Sequence, residues 1–444
     1  MSKEVYCGMN PTFEFFLKII KAFLHEEYMD WPWPSAPDRC TDSCGGNSQV
    51  DAALFFQLAE DHLLLPAVCQ VLCNDNKLWG NAQIAAEVKG AMGLTPLELR
   101  HRAVDQTARQ IIKTDEFLRM YGMLQQQGYK PLVMKGIVIR ELYKWKNYRI
   151  SGDEDILLPL GIMEKCEGFL LKEGIELTFN PETNEKTFLL KEGGLRLDLH
   201  HTFFDPSSDI CGGWNSFFED AAKRSVDIEI SGRFLRTLSP TDHLLFLILH
   251  AFKHFIYRGI GIRQAADVLV YMDRYQDEVD WEYIWSCCRQ VRADGFLRAM
   301  IQIGLHSLMP DDGLRTISDR FSCGRVDEGP LLLDILEAGI HGFAERDRFR
   351  SIYMTEYAVA RRNKDQPYSR FGNMAYIAFP SMKSMTSSYA WLKKAPVLLP
   401  AAWIMRLCKY AIDTLAGNKK QDNNADMIRI GSERIEMMKK YGIL

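Results

Sequence analysis

The sequence has no long uncharged apolar run, no disulfide framework, no internal repeat, no low-complexity tract and no broad basic stretch. Each absence excludes something. The most apolar segments, such as residues 244–249 and 395–405, fall short of the roughly 20 residues a membrane-spanning helix needs. Lys393, Lys394 and Arg406 bound the second segment, and Pro396 and Pro400 interrupt it, so it is expected to be buried or to touch a partner rather than span a bilayer. Residues Met1 to Pro11 lack a basic start followed by an apolar stretch, so no signal peptide is expected. The 11 cysteines are odd in number and form no C-x-x-C pair; a reducing, cytoplasmic setting is expected, with no membrane as partner. A formal charge of −4 argues against a protein that coats DNA.

What is present is ample core material. A 444-residue chain that is 47% hydrophobic can bury enough for two to three domains. Residues 12–27, 50–74 and 96–127 repeat apolar positions at helical spacing, as in Phe13, Phe16, Leu17, Ile20, Phe23 and Leu24. Between the first two lies Trp31-Pro32-Trp33-Pro34, an expected irregular loop. The pattern changes at Lys130. A short apolar run, Pro131 to Met134, ends in Lys135-Gly136, and a helix is expected from Ile137 to about Trp145. Asp153 to Leu158 reads as a strand stopped by Pro159, residues 161–173 as a helix, and residues 186–191 with 195–200 as a hairpin through Gly193-Gly194. From Ser239 the helical pattern returns, with Pro240 and Asp242 suited to a helix start. The expected class is α+β. A small mixed-sheet core over 129–236 is flanked by helical regions at 1–128 and 237–444.

Side chains alternate across a strand. Asp153 and Asp155 therefore share one face and Glu154 takes the other. In Leu195-Arg196-Leu197-Asp198-Leu199-His200 the leucines share one face, and Arg196, Asp198 and His200 the opposite one. If the two strands are neighbours, three carboxylates converge. Close carboxylates repel unless protonated or neutralised, and a hard cation such as Mg²⁺ takes oxygen ligands and phosphate partners. Gly136 permits close approach of backbone to a phosphate at a helix start, and Lys135 and Arg149 supply charge for it. Glu154, if buried, needs a partner; either its face is partly exposed or a Lys or Arg pairs with it.

These stretches, Val133-Met134-Lys135-Gly136, Tyr148 to Leu158 and Arg196 to His200, together resemble an uncharacterised nucleotidyltransferase family of the polymerase-beta-like superfamily. The likeness extends to the helical segment before Lys135 and to Leu249 to His254 with Arg263 and Asp267. It implies a two-metal site with Asp153 and Asp155 as ligands of Mg²⁺ or Mn²⁺. Asp198 would be the third carboxylate, as a metal ligand or as base for the acceptor. A nucleoside triphosphate, ATP among the options, would meet Gly136, with Lys135 and Arg149 on its phosphates and Gly152 beside the aspartates. Two positions depart from the superfamily pattern. Gly136 is followed by Ile137 rather than a glycine or serine, and the residue between the aspartates is Glu154 rather than apolar.

His250 and His254 sit four apart on one helix face, a spacing that can bind zinc, but Ala251 stands where the metalloprotease pattern has Glu. They are read as packing at a helix interface or, as the resemblance favours, as residues that with Lys253 or Arg263 face the cleft and touch nucleotide or acceptor. Arg263 and Asp267 are also four apart, a spacing that allows an ion pair. The aromatic stretches at 373–379 and 389–392 read as packing. The expected activity is transfer of a nucleoside monophosphate to an unidentified acceptor (an RNA end, a protein side chain or a small molecule) with release of pyrophosphate. The alternative is a nucleotide-binding or scaffold protein of the same fold with little transfer activity.

Overall fold

Asn10 opens the first helix: its side-chain oxygen accepts from the Thr12 amide at 2.8 Å, and Pro11 takes the first helical position. The structure, a computed structural model, describes residues 9–32, 50–179, 185–309, 312–339, 346–366, 379, 382, 385, 389–415 and 424–444. Most of the Trp-Pro loop and of the 373–379 stretch thus lies outside the described residues.

The N-terminal region is helical, as its periodicity implies: α1 Pro11–His25, α2 Ala52–Asp61, α3 Leu65–Val71, α4 Asn76–Gly80, α5 Ala82–Met92 and α6 Pro96–Gln126. The expected 50–74 helix is two helices, because Leu63 turns left-handed (φ 54°) between them. Thr95 and Glu98 form a reciprocal capping box on α6, the longest of the six.

The middle region holds one seven-stranded sheet: β1 Leu132–Val133, β2 Asp153–Leu157, β3 Glu176–Phe179, β4 Glu185–Leu190, β5 Leu195–His200, β6 Val226–Ile230 and β7 Arg233–Thr237. The spatial order is β3-β4-β5-β2-β1-β7-β6. The sheet is mixed: β2 runs parallel to β5, and β1 parallel to β7, while the other neighbours are antiparallel. The β4–β5 hairpin is the expected one. The β6–β7 hairpin enlarges the expected core; Ser231 and Gly232 both take positive φ (51° and 76°), as a two-residue hairpin turn requires. After β1 the helix α7 spans only Ile137–Arg140, followed by a turn and a 3₁₀ segment at Lys146–Tyr148, so it is shorter than its apolar run suggests. Helix α8 (Leu160–Lys172) follows β2.

One face of the sheet is apolar. Ile156, Phe188, Leu195, Leu197 and Leu199 pack with Phe117 and Leu124 of α6 and with Met163 and Leu170 of α8. Tyr121 of α6 also donates to the Pro131 carbonyl and accepts from the Arg236 amide, both at 2.9 Å, pinning α6 across two strands. On the other face, Leu132 and Met134 join a large cluster with Leu244, Leu245 and Leu247 of α9 (Pro240–Tyr257). That cluster also takes in Phe16 and Phe55 of the N-terminal helices and Phe296 of the C-terminal ones. Helix α10 (Ile262–Tyr275) follows, and further helices run from Trp281–Gln290 to Asn424–Lys440. Ser239 caps α9 by accepting from the Asp242 amide at 3.3 Å. Among the described residues no helix is long and apolar enough to cross a membrane, and the cysteines described are free thiols.

Candidate active site

The carboxylates lie on the polar part of the sheet face turned towards α9. Parallel pairing of β2 and β5 sets Asp155 opposite Asp198 and Asp153 opposite Arg196. Asp155 and Asp198 are both 5% exposed, whereas Asp153 is half-buried at the start of its strand. Arg196 is exposed and His200 is buried.

Asp155 is gripped from two sides. Lys135 Nζ lies 3.0 Å from its Oδ2, and His200 Nε2 lies 3.0 Å from its Oδ1. Burial alone would raise the Asp155 carboxyl; Lys135 and His200 outweigh it and hold the acid well below the usual range. Burial would likewise lower the Lys135 ammonium, but Asp155 and Asp153 keep it above its ordinary value. At Asp198 the balance is reversed, and the opposing Thr187 hydroxyl does not outweigh burial. Burial, then the neighbouring Asp155 charge, push its carboxyl up to about 6, and its Oδ1 is buried without a hydrogen-bond partner.

The Lys135-Gly136 turn faces these residues from the end of β1. Gly136 adopts φ 66°, and a Cβ there would fall 1.9 Å from Glu154 Oε2. Glu154 is 1% exposed, so its face is not open; Arg140 pairs with it at 3.1 Å.

A cleft beside the turn is lined by Lys135, Gly136, Arg149, Asp153, His250 and Arg263, among others. Arg149, which stands just before β2, gives Nε to Asp267 Oδ1 at 3.1 Å and its Nη2 to the other Asp267 oxygen. Its Nη1 is buried with no partner. Tyr143 also donates to Asp267 at 2.8 Å. The Arg263–Asp267 pair that the spacing allows is not what forms: Asp267 serves Arg149 and Tyr143, while Arg263 donates Nη1 to the Ile150 carbonyl and leaves Nε unpartnered. Burial, then the Arg149 charge, lower the Arg263 guanidinium to about 10. Two adjacent guanidiniums with spare buried donors suit an anion.

The remaining sequence candidates divide. His250 lines the cleft, and burial with the Lys135 charge keeps its imidazole well below the usual range, hence neutral at pH 7. His254 is not part of that lining; its Nε2 sits 3.3 Å from His250 Nε2. Gly152 is exposed, with open space where a side chain would be. Arg263 lines the cleft, as one of the sequence alternatives had it, whereas the role of Asp267 as the partner of Arg149 was not foreseen. Their signal was charge on the otherwise apolar face of α10, where both are under 9% exposed.

The donor set suits a hard divalent cation: oxygen ligands only, and an orphaned buried Asp198 oxygen beside an anionic Asp155. Among the described residues no three His, Cys, Asp or Glu side chains are gathered as a ready cage. Lys135 takes the neutralising place at Asp155.

A mixed sheet carrying Asp-x-Asp next to a third aspartate, with a Lys-Gly turn across from them, defines a nucleotidyltransferase-type α+β protein. The family model for uncharacterised nucleotidyltransferases matches residues 48–306, more than half of the chain, and the chain belongs to that family. No curated protein and no solved structure matches it.

Proposed function

We propose that the protein is a divalent-metal-dependent nucleotidyltransferase that moves a nucleoside monophosphate from a nucleoside triphosphate to an acceptor, releasing pyrophosphate. The observation that carries this reading is the in-register pairing of Asp155 with Asp198, with Asp153 two residues away on the same face and at the cleft. Asp153, Asp155 and Asp198 would hold Mg²⁺ or Mn²⁺. When bound, such an ion polarises the reacting phosphate and steadies the leaving oxygen.

The chain's own residues divide the rest of the work. Lys135, the spare Nη1 of Arg149 and the spare Nε of Arg263 bind and orient the phosphate tail. Gly136 lets that tail approach the backbone. Asp198, with its carboxyl poised near 6, accepts a proton from the acceptor hydroxyl if it is not taken up by the ion. The acceptor would be an RNA end, a protein side chain or a small molecule.

One observation favours a second reading, a nucleotide-binding protein with little turnover: Lys135 sits on Asp155, the oxygen donor a metal would need. The two separate in one experiment. The full chain is incubated with each α-labelled triphosphate, Mg²⁺ or Mn²⁺ and cell extract. Label transfer that vanishes in D153A and D155A supports the enzyme. Metal-dependent triphosphate binding with no transfer supports the second reading. Absence of any metal or triphosphate binding overturns both.

A further inference from the structure

We propose that Glu154 is a positioning residue that sets the Lys135-Gly136 turn from the reverse face of β2, an inference that rests on the reading of this turn as the triphosphate contact. Its neighbours on β2 face the cleft side, so Glu154 touches no substrate itself.

The contacts are specific. Glu154 Oε2 accepts from the Ile137 amide at 2.6 Å, at the first turn of α7. Its Oε1 accepts from Arg140 Nη2 at 3.1 Å and lies 3.3 Å from Ser151 Oγ. Arg140 in turn gives Nη1 to Ser151 Oγ at 2.7 Å and Nη2 to Thr114 Oγ1 of α6 at 3.2 Å. Gln110 of α6 accepts from the Ser151 amide at 2.8 Å. One buried carboxylate thus joins the turn after β1, the segment entering β2 and the long helix α6.

Gly136 and Glu154 are complementary in shape. The carboxylate occupies the volume that a side chain on residue 136 would fill, and the positive φ of Gly136 is the conformation it closes upon. Strand alternation then produces a two-sided grip. Asp155 holds the Lys135 side chain from the cleft face, and Glu154 holds the Ile137 amide from the other. Adjacent strand residues flank Gly136 and leave the turn little freedom.

Ion pairing with Arg140 is by itself a weak reason for a glutamate here. Burial raises its carboxyl and Arg140 opposes that shift, while burial lowers the Arg140 guanidinium and Glu154 opposes it. A buried ion pair of this kind is often matched or exceeded in stability by apolar side chains of similar volume. What apolar side chains cannot supply is the acceptor for the Ile137 amide.

The test uses two charge-neutral double variants of the full chain, E154Q/R140M and E154M/R140M, which differ only in that acceptor. Melting temperatures establish that both fold; E154Q and E154L with Arg140 retained take their place if the R140M substitution prevents folding. Two readouts follow. Amide hydrogen exchange reports on residues 135–138, and calorimetry reports the binding of inorganic tripolyphosphate with Mg²⁺. The variant with Gln at position 154 should keep wild-type exchange and bind within about threefold of wild type. The variant with an apolar side chain there should exchange at least tenfold faster and bind at least tenfold more weakly. Equal exchange in the two folded variants overturns the inference. If wild type fails to bind tripolyphosphate while the exchange difference stands, the proposed function falls and the positioning of the turn remains.

Discussion

Asp155 and Asp198 stand opposite one another on neighbouring parallel strands, yet they are driven in opposite directions as acids. Lys135 and His200 grip the first, whereas at the second burial and its neighbour's charge outweigh the Thr187 hydroxyl. Asymmetry of this kind is how one site keeps one carboxylate ionised and another ready to exchange a proton.

The asymmetry has a sign that stability measurements read. The folded Asp198 carboxyl titrates near 6 against an ordinary 3.8, so between those values the folded chain holds a proton that the unfolded chain has released. Its contribution is fully present below the lower value and is lost as pH rises through the upper one. The metal-free protein should lose stability across this window on account of Asp198. In D198N that loss should disappear, so the variant melts higher than wild type at pH 7.5 but not at pH 4. Mg²⁺ should raise the wild-type melting temperature at pH 7.5 and leave D198N unmoved. Identical pH profiles for the two proteins would contradict the buried pairing.

Removing a charge ligand should hit turnover harder than fold. D153A, half-buried at the strand start, should lower label transfer at least about a hundredfold, beyond the usual loss for groups one shell further out. Its melting temperature should stay within a few degrees of wild type. D155A should abolish transfer and also destabilise, since it leaves Lys135 and His200 without their shared partner. Retained transfer in D153A would remove that residue from the site.

The guanidinium wall offers a test in which stability and binding diverge. R263M removes a buried charge that repels Arg149 together with the contact to the Ile150 carbonyl, so the nucleotide-free protein should melt within a few degrees of wild type. Triphosphate affinity should fall about tenfold, the cost of one charge-assisted hydrogen bond. D267N breaks the forked contact to Arg149 and should destabilise by about 3–5 kcal/mol, the cost of breaking a buried pair on one side. Unchanged triphosphate affinity in R263M would show that the wall does not face the phosphates.

Much of the carboxylate geometry was legible because strand alternation is a local property. Leu195, Leu197 and Leu199 announced the buried face, which fixed where Asp198 had to point. The helical flanks were legible for the same reason. The β6–β7 hairpin carried a readable signal in Ser231-Gly232 between two alternating runs, but a charged strand such as Arg233–Thr237 is easily taken for loop. Ile137 to Trp145 misled by composition: Ile137, Val138, Ile139 and Tyr143 are buried, but the chain turns after Arg140. The partners of Arg149 and Glu154 were beyond sequence reasoning in a more basic sense. Local spacing on α10 favours Arg263 for Asp267, and only the tertiary approach of the segment before β2 hands that carboxylate to Arg149.

That contact also gives the molecule a schedule. Arg149 and Asp267 are 118 positions apart in the chain, whereas the pairing of β2 with β5 is complete at His200. At about 5–20 residues per second of synthesis, the interval between residue 200 and residue 267 lasts roughly 3–13 seconds. A nascent chain in that interval contains both acidic strands but not yet Asp267, the carboxylate that anchors Arg149. On the proposed reading of the cleft, the anchored guanidinium would therefore arrive only with the C-terminal helices, and a chain interrupted before α10 would lack the carboxylate that fixes Arg149.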